Sequence, residues 1–489
     1  MHVTCNPDTL SERGPFSVHV SLEYGDDLID VEVPDTSVVV DAAQASEPTP
    51  LADPVGATRA ALDQPLGSEP VKGLVGPGST VTIAFPDRVK GGAHETAHRR
   101  TVLPLLLDDL FAAGVRPEDV RLVCAIGLHR KNRPDEIEGY LGDAVHRVPA
   151  QNVVNHDAED PDGIVDLGTS SLGDPVAVNR HVVESDLSIL IGHAAGNPYG
   201  GFSGGYKMPS TGLTTWRSIA SHHTPRSLYR DDFVPVSPHS HFRDQLRAIG
   251  QRIEEALPQP FFSVDAVLDS ANRQLGVAAG LITDVEQATW PLAAQRTDLD
   301  VGGPDHQPAD VLLIGVPRTF HYGPGMGSNP ILLTQAIGAS VIRAKKALVD
   351  KPVVIAAAVC DGWFNLKEFP PYEAVYDVLA TCQHPADMKQ HEELLATDPH
   401  WVELYRHHQG YHPFHAFSMV YMGGVAREQT LATFVAGARR PDQARVMGHR
   451  TTATVEEALR EAAALLGREP RVVVVPQLSK PQFHLVPRA

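Results

Sequence analysis

Cysteine is scarce in this chain. Cys5, Cys124, Cys360 and Cys382 are the whole supply in 489 residues, and no Cys-x-x-Cys pair occurs. Neither a zinc knuckle nor a disulfide framework can be read from that spacing. Positive charge is short as well, with 41 Lys and Arg against 60 Asp and Glu and a formal net charge of −19. Such a balance argues against a nucleic-acid partner and against an anionic membrane surface. No apolar run reaches membrane-spanning length. The opening stretch "MHVTCNPDTLSERG" has neither the basic nor the apolar region of a signal peptide. The expectation is a cytoplasmic protein with no membrane partner, whose local basic groups remain available to an anionic small molecule.

What is present is an ordinary globular composition, 42% apolar and 21% charged, on a chain too long for one core. Residues 16–40 alternate as two half-buried strands joined at "YGDD". After an Ala- and Pro-rich connector, "ATRAALDQPLG" reads as a short helix. Apolar strands such as "STVTIAF", "VRLVCAIGLHR" and "SDLSILIGHAAG" then alternate with helical stretches, among them "HETAHRRTVLPLLLDDLFAAG" with Gly114 at its end. Strands that are apolar on both faces, in strand–helix–strand order, imply a largely parallel sheet. The polar stretch "QRTDLDVGGPDHQPAD" at 295–310 reads as a linker. A further α/β unit follows it, with "VLLIGVP", "KPVVIAAAV", "TVEEALREAAALLG" and "RVVVVP". The expected fold is therefore α/β, two α/β domains over 1–294 and 311–489, with an interdomain cleft as the default ligand site.

Chemistry is suggested first by "GNPYGGFSGGYKMPSTG" at 196–212, where six glycines surround Ser203 and Lys207 follows. Glycine lets backbone come close to a neighbour because no Cβ intervenes. A phosphate-binding loop of the G-x-x-x-x-G-K-[ST] kind does not fit, because Tyr206 separates Gly205 from the lysine and Met208 stands where a hydroxyl is needed. A glycine-rich turn with a solvated lysine is the plainer alternative. His223, in "SIASHHTP", lies sixteen residues after Lys207. It suits a metal ligand or a base, and equally a helix end. His129 falls at the carboxyl end of an apolar strand in "CAIGLHRKNRPDEI", where open α/β sheets hold ligands, and a satisfied loop histidine is as good an account. "IAFPDRVKGG" ends its strand with Asp87, Arg88 and Lys90, cations fit for a carboxylate or phosphate.

Taken in order, "YGDDLIDVEVPD", "TIAFPDRVK", "AIGLHR", "VVNHDAED", "ESDLSILIGHAAGNPYGGFSGGYK" and His223 resemble the lactate racemase family of nickel-pincer enzymes. The likeness covers most of residues 18–225 and, more loosely, 310–365. Its most specific piece is "GGFSGGYK" with the spacing to His223. The resemblance implies a nickel-pincer nucleotide, a nicotinate-derived mononucleotide holding nickel through carbon and two sulfurs. It is tethered to the lysine that matches Lys207, cradled by Ser203, Gly204 and Gly205, and completed at nickel by the histidine that matches His223. The reaction implied is racemisation or epimerisation of a 2-hydroxy acid by reversible hydride transfer, with His129 as the first acid–base group. Dedicated pincer-synthesis enzymes would supply the nucleotide, and a homodimer is left open. The arginine that grips the substrate carboxylate in the family matches Arg88 or Lys90. Arg88 is preferred because a planar fork suits a carboxylate.

Two departures stand out. The family's second base histidine is replaced by Asn197, whose amide takes no proton at neutral pH, leaving His193, His222 and His321 as stand-ins, with His193 preferred. In "ILLTQAIGASVIRA", Gln335 keeps a family glutamine expected at the substrate, whereas Gly338 replaces the lysine three residues on. These losses suggest a substrate other than lactate, such as a larger hydroxy or sugar acid. They also admit a relative that binds the nucleotide or a hydroxy acid without isomerising it.

Overall fold

The computed structural model describes residues 17–40, 47–301, 307–479 and 483–487. Cys5 and the opening stretch read for a signal peptide lie outside the described residues. Two sheets organise the rest. The first has six strands in the order Gln274–Leu281, Phe262–Leu268, Leu187–Ala194, Val81–Pro86, Val120–Ala125 and Val153–Asn155. All neighbours are parallel except the edge hairpin of the first two. Every residue of Val81–Pro86 and Phe262–Leu268 is buried, as expected of strands covered on both faces. Chain order runs outward from Val81–Pro86 to one side and then returns to Leu187–Ala194 on the other. The reversal opens a crevice at the carboxyl ends of those two strands, the usual ligand position in such sheets.

The second sheet has eight strands. Its parallel centre is Val472–Val475, Ala309–Pro317, Leu348–Ala357, Ala432–Ala436 and Arg450–Thr452. The N-terminal hairpin Ser17–Gly25 and Asp27–Pro34 joins this sheet, pairing Tyr24 and Gly25 with Val316 and Pro317, and Val38–Val39 pairs with Val472–Val475. A division at residue 294 would place that hairpin with the first sheet. The structure instead crosses it over, because the buried faces of Val20, Leu22, Val31 and Val33 pack with Val311, Leu313 and Ile355 of the second sheet. The expected linker is largely structured: the helix Ile282–Thr297 enters it, Asp298–Asp300 pairs with His484–Val486, and Ala309–Pro317 begins before its end. Residues 302–306 of it lie outside the described residues.

Several local signals behave as their residues dictate. Asp53 caps the helix Pro54–Asp63 by accepting from Gly56 N–H at 2.8 Å. The helix His98–Ala112 stops at Gly114, whose φ of 90° a Cβ would disfavour. Between its third and fourth parallel strands the second domain carries helices, of which Pro413–Gln429 packs along Pro330–Ala344. A Cβ on Gly338 would strike the Met422 carbonyl, and one on Gly423 would meet Thr334 at 2.7 Å. The two helices therefore touch backbone to backbone, and no lysine side chain has room at 338. No helix of the described residues is long and apolar enough to cross a membrane.

Candidate functional site

A cavity of about 590 Å³ lies between the two sheets' domains. Its N-terminal wall is formed by the loops that leave Val81–Pro86, Val120–Ala125 and Leu187–Ala194. Its other wall is one face of Pro330–Ala344, part of Pro413–Gln429 and the short turn around His321 and Tyr322.

The turn after Val81–Pro86 is held from behind. The buried Arg99 guanidinium donates to the carbonyls of Pro86, Asp87 and Gly92 at 2.5–2.7 Å. Asp87 then accepts from His129 Nδ1–H at 2.6 Å. Burial acts to raise the Asp87 carboxyl, but the contact with His129, with Lys90 and Arg99 nearby, holds it down at about 2. A carboxylate on Nδ1 fixes the ring and leaves Nε2 free for proton transfer. Tyr322, Tyr411 and His415 surround that ring, with centroids 5.3–5.7 Å away. Asp87 was readable only as a strand-end charge, since nothing in the sequence joins it to a histidine forty-two residues on.

The two cations of this turn part company. Lys90 lines the cavity, and burial lowers its ammonium, opposed by Asp87. Arg88 does not line it: its guanidinium binds Glu368 of the second domain at 3.1 Å. The preference for Arg88 as carboxylate grip thus meets a structure that commits Arg88 elsewhere and leaves Lys90 facing the space.

The glycine-rich loop answers differently from the sequence reading. Gly196–Asn197 pairs with Gly201–Phe202, and Ser203 Oγ donates to the His193 carbonyl at 2.9 Å. A Cβ on Gly204 would strike Asp265, and one on Gly205 would strike Glu286. Those buried carboxylates accept from Gly205 N–H at 2.9 Å and Tyr206 N–H at 3.1 Å, and Arg243 pairs with Glu286 behind them. What these two glycines approach is the protein itself. Ser203 and Gly204 line the cavity and Gly205 does not.

The loop delivers Lys207 into the space, over the rings of Tyr199 and Phe242 at 5.5 and 5.8 Å. Among the described residues its ammonium has no carboxylate partner. Burial, then repulsion from Lys90 and Arg243, drives it well below the ordinary lysine value. A lysine lowered in this way gives up its proton more readily and so becomes a better nucleophile, as a covalent tether requires. His223 Nδ1–H donates to the Ile219 carbonyl at 3.2 Å, which turns the Nε2 lone pair outward, the arrangement usual for a metal-bound imidazole. Burial first, then His222 and Lys207, pushes its charged form well out of the neutral range. Among the described residues no group of three or more His, Cys, Asp or Glu could hold a metal alone. A metal here would take His223 and draw its other donors from an organic ligand. On these counts the residues fit a lysine-tethered nucleotide that carries its own metal donors.

His193 lines the cavity, and burial, then Lys90 and Arg99, lowers it to about 3. His321 lines it too, whereas His222 is packed between His223 and Phe242 outside it. Asn197 also faces the cavity while its Oδ1 accepts from Tyr199 N–H at 2.8 Å, a turn-forming role. Gln335 is buried in the opposite wall. Arg343 and His415 complete that wall; Arg343 escaped the sequence reading. Arg343 follows Gln335 by eight residues, which places both on one helix face.

Residues 24–231 match the family model of the lactate racemase N-terminal domain. Lactate racemase of Thermoanaerobacterium thermosaccharolyticum is 26% identical over 163 residues, 33% of this chain and 36% of that protein. Lactate racemase of Lactiplantibacillus plantarum is 26% identical over 164 residues, 33% of this chain and 37% of that protein. These matches span about a third of the length of the curated relatives. Among solved structures, the lactate racemase apoprotein from Thermoanaerobacterium thermosaccharolyticum superposes with a TM-score of 0.68 at 18% identity, covering 96% of this chain and 100% of that one. A Thermotoga maritima protein superposes with a TM-score of 0.56 at 13% identity, covering 90% and 100%. At those identities the superpositions speak to fold, which is the mixed α/β arrangement described above. Residues 24–231 are therefore similar to the lactate racemase N-terminal domain, and the likeness over the remainder of the chain is one of fold.

Proposed function

We propose that the protein racemises or epimerises a 2-hydroxy acid, using a nickel-pincer nucleotide tethered to Lys207 and bound at nickel by His223. The observation that carries this reading is the meeting in one cavity of Lys207, without a carboxylate partner among the described residues, a His223 with Nε2 turned outward, and the Asp87–His129 pair. When bound, the nucleotide would supply reversible acceptance of the hydride from the substrate carbon, which side chains do poorly.

The chain's residues supply the rest. Lys90 holds the substrate carboxylate. His129 Nε2 takes the hydroxyl proton and returns it, with Asp87 keeping the ring's tautomer and orientation. His193 offers the second proton carrier that Asn197 cannot be. Closure of the second domain over the strand ends keeps water from the reacting centre. Supply of the nucleotide falls to separate pincer-synthesis enzymes. The altered helix face, with Gly338 where a lysine is expected, favours an acid other than lactate, and a larger hydroxy or sugar acid is the candidate class.

Intact and peptide mass spectrometry with nickel analysis, on protein co-produced with the pincer-synthesis enzymes, tests the reading. The expected result is a stoichiometric nucleotide-sized adduct on the peptide containing Lys207, with adduct and turnover both lost in Lys207→Ala. Full activity in that variant would sink the tether. A second reading, binding without isomerisation, is favoured by the Asn197 amide locked in its turn. It predicts hydroxy-acid binding with no exchange of the carbon-bound hydrogen and no loss of stereochemistry.

A further inference from the structure

Three basic side chains and a single acid line the cavity among the described residues. Asp87 is the one carboxylate among its described lining residues, against Lys90, Lys207 and Arg343. Asp87 is already engaged by His129. The two lysines can shed a proton when buried; an arginine does not. Arg343 is lowered by burial only to about 10, with the Tyr199 phenol acting against that, and so it stays charged at neutral pH. Among the described residues it has no hydrogen bond and no ion pair. A half-buried guanidinium without a protein partner keeps its donors free for an anion, and the chain's overall −19 makes the omission of a nearby acid the more notable.

The helix face explains what would reach it. From Gln335 to Arg343, the cavity-lining residues between are Ala336, Ala339 and Ser340, so small side chains floor a track about 12 Å long at eight residues of helical rise. Arginine is long, and helical side chains lean toward the N-terminal end. An arginine leaning that way would extend along the track toward Gln335. Lys90, His321 and Arg343 line the same cavity, so the two cations, one from each domain, face a shared space.

We propose that Arg343 docks a second anionic group of the substrate, a carboxylate or phosphate beyond the carboxylate beside the reacting carbon. This rests on the hydroxy-acid reading above and narrows it to doubly anionic 2-hydroxy acids. Lys90 from the N-terminal domain takes one end and Arg343 from the C-terminal domain takes the other, so the two-headed ligand spans the domain boundary.

Isothermal titration of the full chain with lactate, 2-hydroxyglutarate and 3-phosphoglycerate tests the proposal without requiring nickel or turnover. The expected result is binding of at least one dianion tenfold or more tighter than lactate. Which dianion wins identifies the distal group as carboxylate or phosphate. Arg343→Gln should abolish the preference while lactate affinity stays within twofold, and Arg343→Lys, which keeps the charge, should retain part of it. Equal affinities for all three acids in the unmodified chain would overturn the proposal, as would a preference that survives Arg343→Gln. Loss of nicotinic acid mononucleotide binding in Arg343→Gln, with the dianion preference intact, would assign the guanidinium to the nucleotide phosphate instead. A Lys207 adduct without dianion preference overturns this inference alone. A dianion preference without an adduct overturns the pincer reading alone.

Discussion

On its N-terminal side the cavity is walled by loops that leave the carboxyl ends of parallel strands; on its C-terminal side it is walled by helix faces. On the function proposed above, the loops, with the end of the helix Trp216–His222, bring the groups that would react: His129 oriented by Asp87, His193, the amine of Lys207 and the outward Nε2 of His223. The helices bring groups that, on the same reading, would recognise the substrate: Gln335, Arg343 and a floor of small residues between them. A strand end presents its next few residues at a fixed place, so a reacting group there is set by the sheet. A helix face presents every third or fourth residue, so its chemistry changes by single substitutions without moving the reacting groups. Under the proposed function, the difference would give reaction to one domain and selectivity to the other.

The sharpest way to break that division is to remove a proton carrier from the loop wall and a polar group from the helix wall and compare. His129→Ala should lower kcat by about 10²–10⁴, the usual contribution of a positioned acid or base, while the Lys207 adduct and nickel content remain. Asp87→Asn should lower kcat in the same direction, by up to about 10⁴, since it favours the wrong tautomer while leaving the imidazole in place. Gln335→Ala should act mainly on KM. Steady-state kinetics on nickel-loaded protein measures all three, and a kcat loss for Gln335→Ala as large as that for His129→Ala would erase the distinction between the walls.

A smaller effect concerns the helix pair that carries the recognition face. Gly338→Ala should cost about 1–3 kcal/mol, the ordinary penalty for overpacking, because its Cβ would strike the Met422 carbonyl. Urea denaturation measures it. A neutral result would mean that the helices separate readily, and that the lysine expected at 338 was lost for a reason other than space.

How much of this was legible follows the same division. The strands were readable because "VTIAF" and "SILIG" are apolar on both faces, and the loop wall because "GGFSGGYK" and "AIGLHR" sit next to strand ends in the chain. The role of Gly204 and Gly205 was not, because it depends on Asp265 and Glu286, residues sixty and eighty positions on. The N-terminal hairpin looked like the start of the first domain because chain order is the only order a sequence displays. Its pairing with Val316 and Pro317 is a contact across almost three hundred residues. Arg343 escaped for a plainer reason: an arginine on a helix reads as solvent-facing until the space it enters is known.

The Arg88 and Lys90 assignment is where sequence and structure part most directly, and it yields the smallest expected effect. Arginine was preferred for its fork, yet that fork is already filled by Glu368 at 3.1 Å. Glu368 also lies 3.6 Å from Arg130, so Arg88 contributes to a cluster that fastens the second domain over the first. Its side chain is partly exposed, and such a pair is worth about 0–1 kcal/mol. Arg88→Ala should therefore change KM for the hydroxy acid by less than about fivefold, consistent with an energy of that size, and should lower the unfolding midpoint slightly. Lys90→Ala, which removes the cation that faces the cavity, should raise KM by more than Arg88→Ala does. A large KM increase in Arg88→Ala with Lys90→Ala unaffected would mean that Arg88 leaves Glu368 when substrate enters. In that case the ion pair between the domains is a latch released by the substrate's carboxylate, and the loop wall takes part in selectivity after all.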